Sequence, residues 1–92
     1  ASGFRILGEG QFLVPDSELD EINRLDAALE AALKTPDPDV QPALDALLSH
    51  VRAVGTRPAE HEILESDAVL PFADASEDDI RDMLGDDGLV PG

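Results

Sequence analysis

The 92-residue sequence predicts a single α+β domain, made of an N-terminal β-hairpin, an antiparallel helical hairpin, a short C-terminal helix and a candidate third strand. Three observations predict this fold. Two β-prone runs flank a Gly-Glu-Gly sequence, two longer segments repeat apolar residues every three or four positions, and a helix-capping sequence precedes a short apolar edge. The domain is assigned to residues 1–92. Residues 1–3 (Ala-Ser-Gly, with no initiating Met) are interpreted as a candidate cloning remnant and left out of the fold prediction.

The hairpin is predicted from the β-prone runs at residues 4–7 and 11–14, joined by a three-residue loop at residues 8–10. In this register Ile6 lies opposite Phe12. Phe4 then lies opposite Val14, so that four apolar side chains share one face of the pleat.

The Gly8-Glu9-Gly10 sequence also has an alternative interpretation, as a glycine-rich loop that binds phosphate. Such a loop needs a helix directly after it, because the free N–H groups of the helix meet the anion. Here a β-prone run follows, and Glu9 carries a negative charge. The sequence therefore favours a hairpin turn, with Gly10 in the left-handed conformation.

Two amphipathic helices are predicted after the hairpin. Pro15 ends the second strand, Asp16 or Ser17 caps the first helix, and this helix runs to about Lys34. The second helix covers residues 39–54. Gly55 follows as a C-terminal stop. The apolar stripes are expected to pack in the core; they comprise Leu19, Ile22, Leu25, Leu29, Ala32 and Leu33, then Val40, Ala43, Leu44, Leu47, Leu48, Val51 and Val54.

The last third of the chain has weaker patterns. Two short apolar segments, residues 63–64 and 68–71, are the alternatives for a third strand at the hairpin edge. Ser76 and Asp79 have the spacing of a capping box, which predicts the start of a short helix. Gly85 is expected to end that helix.

The charge balance limits the classes of partner. Asp and Glu number 21 against 6 Lys and Arg, which gives a formal net charge of −15. Such a field repels nucleic-acid phosphates and anionic lipids, so no direct nucleic-acid binding and no direct membrane insertion are expected. A basic protein surface is the complementary partner. Solvation of the surface is the favoured reason for the charge, and a high-salt cytoplasm would also favour such a surface.

Other sequence features bear on redox chemistry and location. The chain contains no Cys, which excludes a disulfide framework, a thiol nucleophile and Cys-ligated zinc. No apolar run approaches the ~20 residues of a membrane-spanning helix, and no secretory signal is recognisable. We therefore expect a cytoplasmic protein.

No residues predict catalysis, a cofactor or a metal site. His50 lies at the margin of the second helix, and His61 lies between two Glu residues in a polar segment, so neither indicates a base or a metal ligand. An acidic cluster surrounds the third helix and is the candidate partner-binding site. Its alternatives are a solvated surface and a cation site, although its spacing differs from a calcium-binding loop. The cluster comprises Asp78, Asp79, Asp82, Asp86 and Asp87.

Three sequence motifs resemble one family along nearly the whole chain. They are ILGEGQF at residues 6–12, SDAVLP at residues 66–71 and LGDDGLVPG at residues 84–92. Their order and spacing are similar to those of the PspA-associated domain (PspAA), a small protein encoded beside homologues of phage-shock protein A.

The resemblance implies a function that the residues alone do not give. It implies a non-enzymatic accessory protein that binds or modulates a phage-shock protein A-like coiled-coil protein in the envelope (membrane) stress response. Such a protein would be recruited to the inner face of the membrane through its partner. A homodimer is an open alternative for its assembly. The net charge alone suggests an alternative function, in which the domain is an acidic decoy that occupies the binding surface of a basic nucleic-acid-binding protein.

Overall fold

The computed structural model of the chain describes residues 2–35, 39–58 and 66–84. It contains a three-stranded sheet, in the order β2-β1-β3, and three α-helices, so the α+β prediction is confirmed. Strand β1 pairs antiparallel with β2 and parallel with β3. The elements in chain order are β1 (Ser2–Ile6), β2 (Gly10–Val14), α1 (Leu19–Leu33), α2 (Gln41–Val54), β3 (Ala68–Leu70) and α3 (Glu77–Met83).

The predicted β-hairpin forms, but its predicted register is wrong by two residues. Phe4 pairs with Phe12 and Ile6 with Gly10, so the loop comprises residues 7–9. The N–H of Glu9 donates a 2.9 Å hydrogen bond to the carbonyl of Ile6, which closes the turn one residue earlier than expected. Because a shift of two residues keeps each side chain on the same face, the predicted apolar face remains correct.

The turn uses both glycines in a conformation that other residues rarely adopt. Gly8 has a φ of 84° and Gly10 a φ of 103°. The left-handed conformation was expected only at Gly10, and the second positive φ explains why the turn begins earlier.

Strand β1 begins at Ser2. Ser2 and Gly3 are therefore part of the fold, and leaving them out of the fold prediction was wrong. Ser2 pairs with Val14, and Gly3 exchanges two hydrogen bonds with Asp67. In these the N–H of Gly3 donates to the Asp67 carboxylate at 2.9 Å, and the N–H of Asp67 donates to the Gly3 carbonyl at 2.7 Å. The register shift is explained by this longer strand, since it adds two paired residues.

Helix α1 begins later than predicted and without the predicted side-chain cap. A 3-10 turn at Asp16–Glu18 precedes it, and neither this turn nor α1 has a capping hydrogen bond from a side chain. The turn is instead closed by the N–H of Glu18, which donates to the carbonyl of Pro15 at 2.9 Å.

Helix α2 begins at Gln41, two residues after its predicted start, with Pro42 in the first turn. It ends before Gly55, as predicted, and the Gly55 N–H donates a 2.8 Å hydrogen bond to the carbonyl of Val51.

The third strand and the capped third helix are both confirmed. β3 is formed by the second of the two candidate segments, and Ile6 pairs with Leu70. At the start of α3 the Asp79 N–H donates to the Ser76 hydroxyl, and the Ser76 N–H donates to the Asp79 carboxylate. Residues 63–64 and Gly85, for which predictions were made, lie outside the described residues.

One hydrophobic core joins the inner face of the sheet to the helices. α1 and α2 pack on each other, as the helical-hairpin prediction requires. All of the predicted stripe residues are buried or packed against the core. The buried core residues are Phe4, Ile6, Phe12, Val14, Ile22, Leu29, Leu33, Val40, Leu44, Leu47, Leu48, Val51, Ala68, Leu70 and Ile80.

Candidate partner-binding site

Helix α3 is held in place by contacts to two other helices. The Arg81 Nη2 atom donates a 2.9 Å hydrogen bond to the carbonyl of Leu33, at the end of α1. Arg81 also forms an ion pair with Glu77, one turn earlier in α3. From the start of α2, the Gln41 side-chain amide donates a 2.8 Å hydrogen bond to the carbonyl of Ala73, just before α3. The short helix therefore has a defined position on the domain.

The described part of the acidic cluster faces solvent. Asp78, Asp79 and Asp82 are all exposed on α3, where the spacing of three or four residues places Asp82 near both of the others. Asp79 also has a structural role, because its carboxylate closes the capping box. The other two predicted members, Asp86 and Asp87, lie outside the described residues.

An apolar groove lies along α3, and two of the acidic residues form part of its wall. Its volume is about 300 Å³. We call it the α3 groove; it is lined by Leu7, Pro71, Phe72, Ala75, Asp79, Asp82 and Met83. The acidic residues could be predicted from the sequence, whereas the groove was not predicted. The sequence signal for the groove is the Pro71-Phe72 pair directly after β3, because one of only three Phe residues in the chain lies there, just before an acidic segment.

Phe72 is the large apolar side chain that the groove exposes to solvent. Half of its surface (50%) is accessible to solvent, and with Val69 at 40% it is one of two large apolar side chains exposed in the described residues. The Phe72 ring lies over the hairpin turn. A Cβ added to Gly8 would lie 2.9 Å from two of its ring carbons. The absence of a side chain at Gly8 therefore lets Phe72 pack against the turn.

The Gly-Glu-Gly turn is supported by two arginines. Arg52 donates to both carboxylate oxygens of Glu9, through Nε at 2.7 Å and Nη2 at 2.5 Å. Arg57 donates to the Glu9 carbonyl and lies over the Phe12 ring, 4.3 Å from its centroid. The hydrogen bonds between Arg52 and the Glu9 carboxylate lower the pKa of Glu9 below its ordinary value and raise the pKa of Arg52. The Glu9 carboxylate is thus paired with Arg52, and a strand rather than a helix follows the turn, which agrees with a hairpin turn and not with a phosphate-binding loop.

The two histidines are placed differently. His50 is half-buried, and its Nε2 atom lies 2.9 Å from a carboxylate oxygen of Glu18, which connects α2 to the turn before α1. This is a structural contact between elements. His61 lies outside the described residues. Within residues 2–35, 39–58 and 66–84, no group of three or more His, Asp or Glu side chains is arranged to hold a metal ion.

The helices also bear on membrane insertion. Among the described residues, no helix is both long enough and apolar enough to cross a bilayer.

Comparison with known proteins identifies a family. The sequence model of the family described as PspA-Associated protein matches residues 4–92, nearly the whole chain, which confirms the resemblance of the three motifs. No curated protein and no solved structure matches the chain.

Proposed function

Since this chain belongs to the family of PspA-associated proteins, we propose that it is a non-enzymatic accessory protein. It binds a phage-shock protein A-like coiled-coil protein and modulates its action in the membrane stress response. The observation that carries this proposal is the family match over residues 4–92. The net charge of −15 adds a physical basis, because it favours a basic partner surface.

The acidic cluster is the proposed contact. Asp78 and Asp82 are exposed one helical turn apart on α3, and neither is required for the capping box. Asp86 and Asp87 would extend the same cluster by sequence. A partner surface that binds anionic lipid is basic, so the acidic cluster would compete with lipid for it.

The proposed location follows from the same charge. The domain acts in the cytoplasm and reaches the inner membrane face through its partner, because its own field is repelled by anionic lipids. Five of the seven residues that line the α3 groove are apolar, a lining that favours a binding role for this surface.

The contact is tested by a charge-reversal pair with a matched control. The variant Asp78→Lys/Asp82→Lys is compared with Asp20→Lys/Asp39→Lys, which makes the same change in net charge at exposed positions in α1 and just before α2. Affinity for the phage-shock protein A-like protein is measured by calorimetric titration. We expect the α3 pair to weaken binding by more than tenfold and the control pair by much less. An equal loss of affinity in the two double variants would exclude α3 as the contact.

An acidic decoy of a basic nucleic-acid-binding regulator is the second candidate function, favoured by the net charge alone. The two candidates differ in their competitors. The accessory function predicts that anionic vesicles displace the domain from its partner, whereas the decoy function predicts displacement by duplex DNA from a DNA-binding partner.

A further inference from the structure

We propose that the α3 groove receives one or two apolar side chains from a partner helix that carries Lys or Arg beside them. This inference rests on the proposed function and adds the class of segment that the partner contributes. It makes binding part hydrophobic and part electrostatic, whereas the acidic cluster alone would make it electrostatic.

The lining of the groove supports an apolar occupant. Five of the seven lining residues are apolar, and Phe72 exposes half of its surface there. A volume of about 300 Å³ is at the lower end of ligand pockets and suits one or two apolar side chains. Helices that bind in grooves present such side chains at steps of three or four residues.

The wall of the groove indicates the charge of that occupant. Asp79 and Asp82 line the groove and are exposed, and Asp78 lies on the same helix. A helix that inserts an apolar side chain would bring its flanking residues against these carboxylates. Lys or Arg at those positions gives favourable pairs, and Asp or Glu gives repulsion.

The same charges disfavour two other occupants. A second copy of this chain would bring another net charge of −15 to a wall that is already acidic. An anionic lipid surface would be repelled for the same reason.

The groove is also pre-formed, which reduces the entropy cost of binding. Arg81 and Gln41 hold the two ends of the segment that contains it, through hydrogen bonds of 2.9 Å and 2.8 Å. The Ala75 N–H donates a 3.0 Å hydrogen bond to the Phe72 carbonyl, which closes a turn between them. Phe72 itself packs against Gly8.

Two pairs of variants of the full chain test the groove. Phe72→Ala is compared with Val69→Ala, which removes the other exposed apolar side chain of the described residues from a position outside the groove. Asp82→Lys is compared with Asp78→Lys, which makes the same charge change on the same helix without lining the groove. The probe is the intact phage-shock protein A-like protein, and urea unfolding confirms that each variant is folded.

We expect binding affinity to fall in the groove variants and not in their controls. Phe72→Ala should weaken binding about tenfold and leave the salt dependence of the dissociation constant unchanged, because it removes apolar contact and no charge. Asp82→Lys should weaken binding more than Asp78→Lys. Val69→Ala should bind like the wild type.

The outcomes separate this inference from the function on which it rests. If the wild type binds and each groove variant behaves like its control, the groove inference is overturned while the accessory function stands. If the wild type does not bind, both are overturned. A dimer that dissociates on Phe72→Ala would assign the groove to a second copy and also overturn the inference.

Discussion

Arg81 of α3 donates a hydrogen bond of 2.9 Å to the main-chain carbonyl of Leu33, 48 residues earlier in the chain. The last carbonyl groups of an α-helix have no partner within that helix, and a cationic side chain satisfies one of them favourably. The same Arg81 pairs with Glu77. One side chain therefore joins the C-terminal end of α1 to the helix that forms a wall of the α3 groove.

Replacing Arg81 with Ala should destabilise the domain and weaken partner binding without changing any lining residue of the groove. We expect a loss of about 1 kcal/mol in the free energy of unfolding, below the range for buried charged hydrogen bonds, because the side chain is 45% exposed. Urea unfolding and titration measure the two effects. Arg24→Ala, which removes an exposed arginine from α1, is the control. If Arg24→Ala weakened partner binding as much as Arg81→Ala, the loss of affinity would be due to the change in net charge alone.

Substitution of Gly8 should affect both stability and the groove. Gly8→Ala places a side chain at a φ of 84° and against the Phe72 ring, so we expect a loss of about 1–2 kcal/mol together with weaker partner binding. Gly10→Ala is a matched control. It has similar backbone strain at a φ of 103°, but its Cβ would meet the flexible end of Arg57. Binding weakened to the same degree by both variants would argue against a role for the Phe72 contact.

The Glu9–Arg52 pair predicts a pH-dependent difference in stability. Its hydrogen bonds lower the pKa of folded Glu9 below 4.5, so the pair stabilises the fold above that pH and this stabilisation is lost as the pH falls through the folded-state pKa. At pH 7, Glu9→Gln should lower the free energy of unfolding by about 0.5–1 kcal/mol, a modest value because Arg52 is 38% exposed.

Measurements of the free energy of unfolding at decreasing pH test the predicted direction of this change in stability. The difference between Glu9→Gln and the wild type should shrink as the pH falls below 4.5. In an Arg52→Gln background the substitution should have little effect at pH 7. A difference that persists in that background would assign the effect to something other than the ion pair.

The capping box predicts the stability of α3. Ser76→Ala removes the hydroxyl that accepts from the Asp79 N–H and should cost about 1 kcal/mol. Ser49→Ala, at an exposed position in α2, should cost nothing measurable. Thermal unfolding compares the two variants. Equal melting temperatures would mean that packing of Ile80, rather than capping, holds α3 in place.

Most elements of the fold could be predicted because their patterns are local. The stripes of α1 and α2 repeat at the helical period, and the capping box at Ser76 is a spacing of three residues. The apolar face of the hairpin was also correct, since alternation alone determines it. These signals need no knowledge of the rest of the chain.

The features that were missed depend on contacts distant in sequence. The hairpin register follows from a strand that begins at Ser2 and from Gly3, which pairs with Asp67 across 64 residues. The start of α1 was misplaced because a turn closed by the backbone replaced the expected cap. The α3 groove was missed because Leu7 and Phe72 approach each other only after β3 pairs with β1.

A titration of the wild-type chain into the phage-shock protein A-like protein, at about 50 mM and about 200 mM salt, tests the accessory function most directly. We expect saturable binding that weakens as salt rises, because the acidic cluster contributes an electrostatic part. We also expect some affinity to persist at the higher salt, from the apolar contact in the α3 groove. No binding at partner concentrations on the order of tens of micromolar would overturn the accessory function.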